Sequence, residues 1–428
     1  MPADRDLAAP RATGPAPATE PTERVEQLAV AAHRSRMRRQ RRRYIPIVTA
    51  LVALCVAGFA LAVQRGEISH VHLRTGPAAA SLSTSPISAN LTIAWQSADT
   101  AAAGVPFYGG TIVTFSADTV TGRDAATGAA RWSFTRGDRT LCSVVQELGH
   151  VFALFRAKGD CDELTLLDTG TGQRTAERTL DDDGHLVAGT PQVLPGAAAV
   201  VLITDSLVRS INLSNGYNTW TYTAPSGCQN LRAVRGTAGV LVSQHCADGD
   251  YLLLRDLNAG DAASTAIKWR VKASGVVPLA ADSFVAALDS ATRALRLYSS
   301  ADGSVVNAPV PLTPAPSPLR AIAQVPTPQG ELIWIGDTSY ALNEDGTSQL
   351  WSRATMTLPT FSGPQTPAGE QDFATLAVPA GTGILVLDPD SGDVVTTYSA
   401  RVPSTAGLTV RVGTGFVLAA GNGTTVYQ

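Results

Sequence analysis

The chain has 428 residues, 44% hydrophobic and 16% charged, with 38 glycines and 26 prolines. This composition suits a turn-rich all-β protein with a substantial core. The formal net charge of −3 hides an asymmetry: residues 1–43 carry ten arginines against five acids. The basic charge is therefore a tail, which argues against a nucleic-acid-binding face.

Residues 1–43 open in Pro, Ala, Thr and Glu and end in an arginine run, so they read as a disordered cytoplasmic tail. Arg34, Arg36, Arg38, Arg39, Arg41, Arg42 and Arg43 are placed to meet the anionic lipids of an inner leaflet. From Tyr44 to Val63 no residue is charged, and this length suffices for a helix to cross a bilayer core of roughly 30 Å. The arginines before it keep the N-terminus inside and direct the rest of the chain outward. A cleaved signal peptide, ending near Ala60-Leu61-Ala62, is the alternative. Residues 64–90 lack a sustained apolar period and read as a flexible tether.

Beyond residue 90 one turn recurs. An acidic, amide or hydroxyl residue, a few small residues and a glycine stand at Asp124–Gly128, Asp168–Gly172, Asn212–Gly216, Asp256–Gly260, Ser299–Gly303, Asn343–Gly346 and Asp388–Gly392. The glycines are spaced by 44, 44, 44, 43, 43 and 46 residues. A period in the forties, with apolar alternation between turns, is the signature of a β-propeller whose blades each have four strands. Each turn is expected to join the third strand of a blade to its fourth. Three strands remain near the C-terminus, and Leu91–Gln96 resembles an outer strand. Joining them makes a composite eighth blade; seven blades with surplus terminal strands is the alternative. Trp132 and Trp220 stand four residues after their turn glycines, Trp351 five after, and Trp269 nine after. A ring recurring with the blade period is expected to wedge between neighbouring blades.

Four cysteines fall in the exported part. Cys142 and Cys161 are 19 residues apart and Cys228 and Cys246 18 apart, each pair bracketing the first two strands of a blade. Disulfides Cys142–Cys161 and Cys228–Cys246 are predicted, in agreement with an oxidising compartment. The rival metal site lacks close C-x-x-C spacing.

Arg123-Asp124-Ala125-Ala126-Thr127-Gly128, followed by Trp132, resembles the pyrroloquinoline-quinone-like propeller repeat, with partial matches at Ile211–Trp220 and Leu387–Gly392. The resemblance covers residues 91–428. Its members include quinoprotein dehydrogenases and non-catalytic envelope proteins. The dehydrogenases usually hold their cofactor with vicinal cysteines or strong basic contacts, together with a metal ion and a catalytic Asp, and no such pattern stands in this sequence. No cofactor, metal or catalytic residue is assigned. Asp181–Asp183, Gly184 and His185 form the densest acidic run but lack an alternating calcium-loop pattern.

Two proline-rich excursions separate blades: Pro309, Pro311, Pro314, Pro316 and Pro318 between the fifth and sixth, and Pro359, Pro364 and Pro367 between the sixth and seventh. Stiff exposed loops suit partner binding, and tolerated surface insertion is the plainer reading. The sequence thus leads to an inner-membrane protein with one span and an extracytoplasmic eight-bladed propeller. It is expected to act as a non-catalytic scaffold for envelope or membrane proteins. A quinoprotein dehydrogenase and a ligand- or glycan-binding sensor are the alternatives.

Overall fold

The computed structural model describes residues 70–78, 86–104, 107–157, 159–180, 191–196, 199–259, 266–306, 308–316, 322–361, 374–403, 406–420 and 423–428. The expected tail, membrane span, Asp181–His185 run, Gly260, Pro318, Pro364 and Pro367 lie outside them. Among the described residues no helix is long and apolar enough to cross a membrane.

His70–Gln428 form one compact unit of eight small sheets, antiparallel except where Ala103–Gly104 runs parallel to Thr140–Glu147 of blade 2. Blade 4 shows the plan, with Cys228–Gly236 innermost, then Gly239–Cys246, Gly249–Arg255 and the outer Ile267–Lys272. Blades 3, 5, 6 and 7 repeat this four-strand meander. Alternation along each central strand sends one set of side chains toward the preceding blade and the other toward the next. Leu241, for example, packs toward blade 5 with Val276 and Ala287, whereas Val240 and Val242 meet Val201 and Val208 of blade 3. Among the described residues eight such apolar clusters occur, each shared by two neighbouring blades. The last joins Val417 and Val426 of blade 8 to Ile112 of blade 1 and closes the ring. The core is therefore a set of radial seams.

The ring is locked as the sequence suggests. Ile93–Ser97 pairs with Gly423–Tyr427 and completes the sheet formed with Gly415–Ala420 and Ala406–Val412. Eight blades, not seven, are observed, because the terminal strands complete one another's sheet and leave no surplus.

Three segments differ from the sequence reading. Part of the expected tether is structured: Val71–Arg74 adds to the outer strand Ala130–Arg136 of blade 1, with Leu73 opposite Phe134. Asn90 bridges to Ser399 of blade 7. Alternating apolar residues in Val71-His72-Leu73-Arg74 suffice for an edge strand even though the surrounding composition is that of a linker. The first proline segment is not wholly a connection either, since Val310–Pro311 is the outer strand of blade 5, paired with Ala294–Leu295. Thr360–Phe361, inside the second excursion, is the first strand of blade 7.

Candidate binding face

In a four-strand meander the first and third turns emerge at the same end of the blade. Backbone bonds tie them together here, from Ala125 N–H to the Gly110 carbonyl (3.0 Å) and from Thr169 N–H to the Gly149 carbonyl (2.9 Å). Among the described residues the recurrent turns therefore lie on one face of the ring. At Asp124 the side-chain Oδ1 accepts from the N–H groups of Ala126 (3.1 Å) and Thr127 (3.0 Å), and Gly128 N–H donates to the Asp124 carbonyl at 2.8 Å. Asp388 does the same with Asp390 and Ser391, and these amides, outweighing the modest cost of burial, hold its carboxyl below the usual range. Gly128, Gly172, Gly216, Gly303, Gly346 and Gly392 all sit at φ between 71 and 73°, where a side chain is strained.

Close approach supplies a second reason for these glycines. Trp132 of blade 1 lies against Gly172 of blade 2, so that an added Cβ would stand 2.6 Å from the ring. Trp95 meets Gly128, Trp269 meets Gly303 and Trp351 meets Gly392 in the same way, each across a seam. The indole N–H groups complete the dock: Trp132 donates to Thr169 O (2.8 Å), Trp220 to Leu257 O (3.0 Å), Trp351 to Pro389 O (2.8 Å) and Trp95 to Ala125 O (3.0 Å). Phe284 takes the place of the tryptophan against Gly346. These aromatic residues are structural wedges.

Both disulfides form as expected, with Cα–Cα distances of 6.1 Å for Cys142–Cys161 and 4.0 Å for Cys228–Cys246. Cys228 and Cys246 stand directly opposite in the first hairpin of blade 4. Cys161 instead opens the third strand of blade 2, beyond the hairpin assigned from sequence.

The described prolines differ in exposure. Pro309, Pro311 and Pro314 are exposed, but Pro316 and Pro359 are buried. The first segment is also pinned down. Gln349 of blade 6 accepts from Thr313 N–H (2.8 Å) and donates to its carbonyl (2.7 Å), while Tyr340 Oη donates to Pro314 O (2.8 Å). This loop fastens blade 5 to blade 6.

A second group of residues, not singled out from the sequence, gathers at the inner turns of the same face. Arg235, near the end of the innermost strand of blade 4, carries its guanidinium over Gly196 of blade 3. It interacts with the charges of both Glu147 in blade 2 and Asp282 in blade 5. Burial lowers the Arg235 pKa and raises those of Glu147 and Asp282, and their mutual attraction offsets only part of each effect. Asp282 also accepts from Thr237 N–H at 2.7 Å.

Glu331 stands apart. It is fully buried, and neither carboxyl oxygen has a hydrogen-bond partner among the described residues. It shares a strand face with Ile333 and Ile335, which pack against blade 5, so its side chain enters the seam between blades 5 and 6. Burial, reinforced by the Asp282 charge, pushes its pKa up to about 9, with the Asp282 amide opposing the rise without completing a hydrogen bond. A signal for it does exist in the sequence. The corresponding residue of the second strand is Ile112, Val151, Val240 or Phe416 in other blades, all buried, and a carboxylate replaces them only here.

Among the described residues no group of three or more His, Cys, Asp or Glu converges as a metal site. The face carries turns, backbone groups and scattered carboxylates.

Residues 87–308 match the sequence profile of the family described as outer membrane protein assembly factor BamB. The chain belongs to this family. No curated protein matches the chain significantly in sequence. Among solved structures, BamB from Moraxella catarrhalis is 16% identical over 79% of this chain and 99% of its own, with a TM-score of 0.47. The computationally designed Ika8 protein is 12% identical over 78% and 98%, with a TM-score of 0.48. Quinohemoprotein alcohol dehydrogenase from Comamonas testosteroni is 11% identical over 82% and 80%, with a TM-score of 0.45. Likenesses at this level carry no functional information, and the family assignment rests on the profile match.

Proposed function

We propose that the protein is a non-catalytic, membrane-anchored scaffold whose extracytoplasmic propeller brings envelope proteins together, in assembly or secretion. The observation that carries this reading is the BamB family match, which spans the first four blades and reaches into the fifth. The fold agrees with it. A ring whose seams are filled by aromatic wedges and whose ends share one sheet presents a preformed surface, so little ordering entropy opposes docking. The uncharged stretch 44–63 would hold the propeller at the cytoplasmic membrane, with the N-terminus inside.

The test is crosslinking and affinity purification from native membranes, comparing the full chain with a version ending at residue 90. Envelope-assembly or secretion proteins captured only by the full chain support the proposal. Specific dye reduction by the purified protein when quinone and calcium are supplied, with no partner captured, would overturn it in favour of a dehydrogenase.

A further inference from the structure

The turn face is not uniform in charge. Across blades 5 and 6 its turns comprise residues 281–284, 299–304, 327–330 and 343–348, which contain Asp282, Asp302, Glu344 and Asp345 and neither lysine nor arginine. Asp302, Glu344 and Asp345 are exposed and Asp282 is half-buried. Blade 1 differs, because its turn carboxylate Asp124 has Arg131 at 3.5 Å. On blades 5 and 6 Asp302 bonds to Ser304 and Asp345 to Thr347, within their own turns, while Asp282 accepts from Thr237 N–H of blade 4 and faces Arg235. Beneath them lies Glu331, a fully buried carboxyl with both oxygens unpartnered among the described residues. Gln329, in the turn just before it, also buries an unpartnered Oε1. Arg235 of blade 4, the cation that faces Asp282, offsets part of its charge but is not among the groups acting on Glu331. The buried oxygens of Glu331 and Gln329 are acceptors, so their complement is a cationic donor.

We infer that the turn face of blades 5 and 6 receives a basic segment of a partner protein, a lysine or arginine side chain of which is held at Asp282 above Glu331. The surrounding acids steer the segment in, and the cation at Asp282 compensates the buried charge behind it. Such an ammonium or guanidinium favours the ionised form of Glu331, so docking releases a proton and tightens as pH rises through neutrality. The inference rests on the scaffold reading and names the chemistry of its partner.

The test uses the full chain in detergent, with a hexa-arginine peptide as probe and a hexa-glutamate peptide as its control. Binding is followed by calorimetry in two buffers of different ionisation enthalpy, between pH 6 and 8. The expected result is saturable hexa-arginine binding with proton release, weakened about tenfold or more in Asp282→Asn, as for loss of a buried charge partner. Glu331→Gln, which keeps the volume of the protonated acid, should abolish the proton release. Asp337→Asn, on the opposite face of blade 6, should change neither. Equal weakening by Asp337→Asn would reduce the effect to net charge and overturn the inference. Abolition of peptide binding by millimolar calcium at constant ionic strength would overturn it too, reassigning the corner to a metal ion. Failure of the peptide to bind while membrane capture still succeeds would reject the basic partner and leave the scaffold reading standing.

Discussion

The seam between blades 1 and 2 and the seam between blades 5 and 6 solve the same packing problem with different treatment of charge. In the first, Trp132 fills the wedge, and a fully buried arginine, Arg136, is surrounded by acids: it meets Glu163, Glu177 at 3.2 Å and Asp138 at 3.2 Å. Arg139 adds a bond to Glu163 at 2.8 Å. Burial tends to raise the Asp138 pKa, but Arg136 and Arg139 outweigh it and hold the carboxyl below its ordinary value. In the second seam Phe284 replaces the tryptophan, and the buried Glu331 faces another acid. A paired buried charge contributes to a unique geometry, whereas a buried carboxyl without a partner stays protonated and its ionisation subtracts stability until something compensates the charge. The first seam reads as finished structure and the second as a place prepared for an incoming group.

The largest expected effect is in pH. Glu331 has a folded pKa of about 9 against an ordinary 4.5, so the native state binds its proton more tightly than the unfolded chain. Its contribution is fully present below pH 4.5 and is lost progressively as pH rises toward 9, by at most about 6 kcal/mol. Urea midpoints measured from pH 5 to 9 should fall in the wild type. They should fall far less in Glu331→Gln, and an identical decline in both would show that Glu331 is not the group responsible.

Next in size is the wedge. Trp132→Ala should cost about 3–5 kcal/mol, more than Phe284→Ala, because Trp132 is fully buried and also donates its indole N–H to Thr169. Equal losses in thermal or denaturant unfolding would mean that the two wedges are equivalent.

Arg136→Ala leaves Glu163 and Glu177 without their shared cation and should destabilise by about 3 kcal/mol. If the loss reflects uncompensated acids, the double change with Glu163→Gln should recover part of it. Additive losses would contradict the ion-pair account.

The smallest effect is at the loop that fastens blade 5 to blade 6. Gln349→Ala removes two exposed bonds to Thr313 and should cost only about 1 kcal/mol, while making amide exchange around Thr313 markedly faster. Unchanged exchange would show that the loop is held by other contacts.

Much of this was legible in the sequence for a physical reason. Repeat period, turn chemistry and wedge positions are local properties that recur, so Gly128, Gly172 and Trp132 announce themselves, and the two short cysteine separations fit strands of one blade. The composite blade followed from counting strands. What stayed hidden depends on where separate turns meet. Glu147, Arg235 and Asp282 lie in three blades, and no spacing rule brings them together. Glu331 was visible only as a misfit against Ile112 and Val240 once strands were aligned. Proline reports stiffness, and whether a stiff loop is free or fastened depends on a distant residue such as Gln349.

The strand Val71–Arg74 has a mechanical consequence. Tension entering the propeller at His70 would meet this four-residue clip on blade 1 first, then the Asn90–Ser399 bridge to blade 7, and only after these would load reach Ile93–Ser97, the strand that closes the ring. The clip thus acts as a fuse: a modest pull spends itself on an ornamental edge, and the closure that keeps eight blades circular is strained only when that edge has failed.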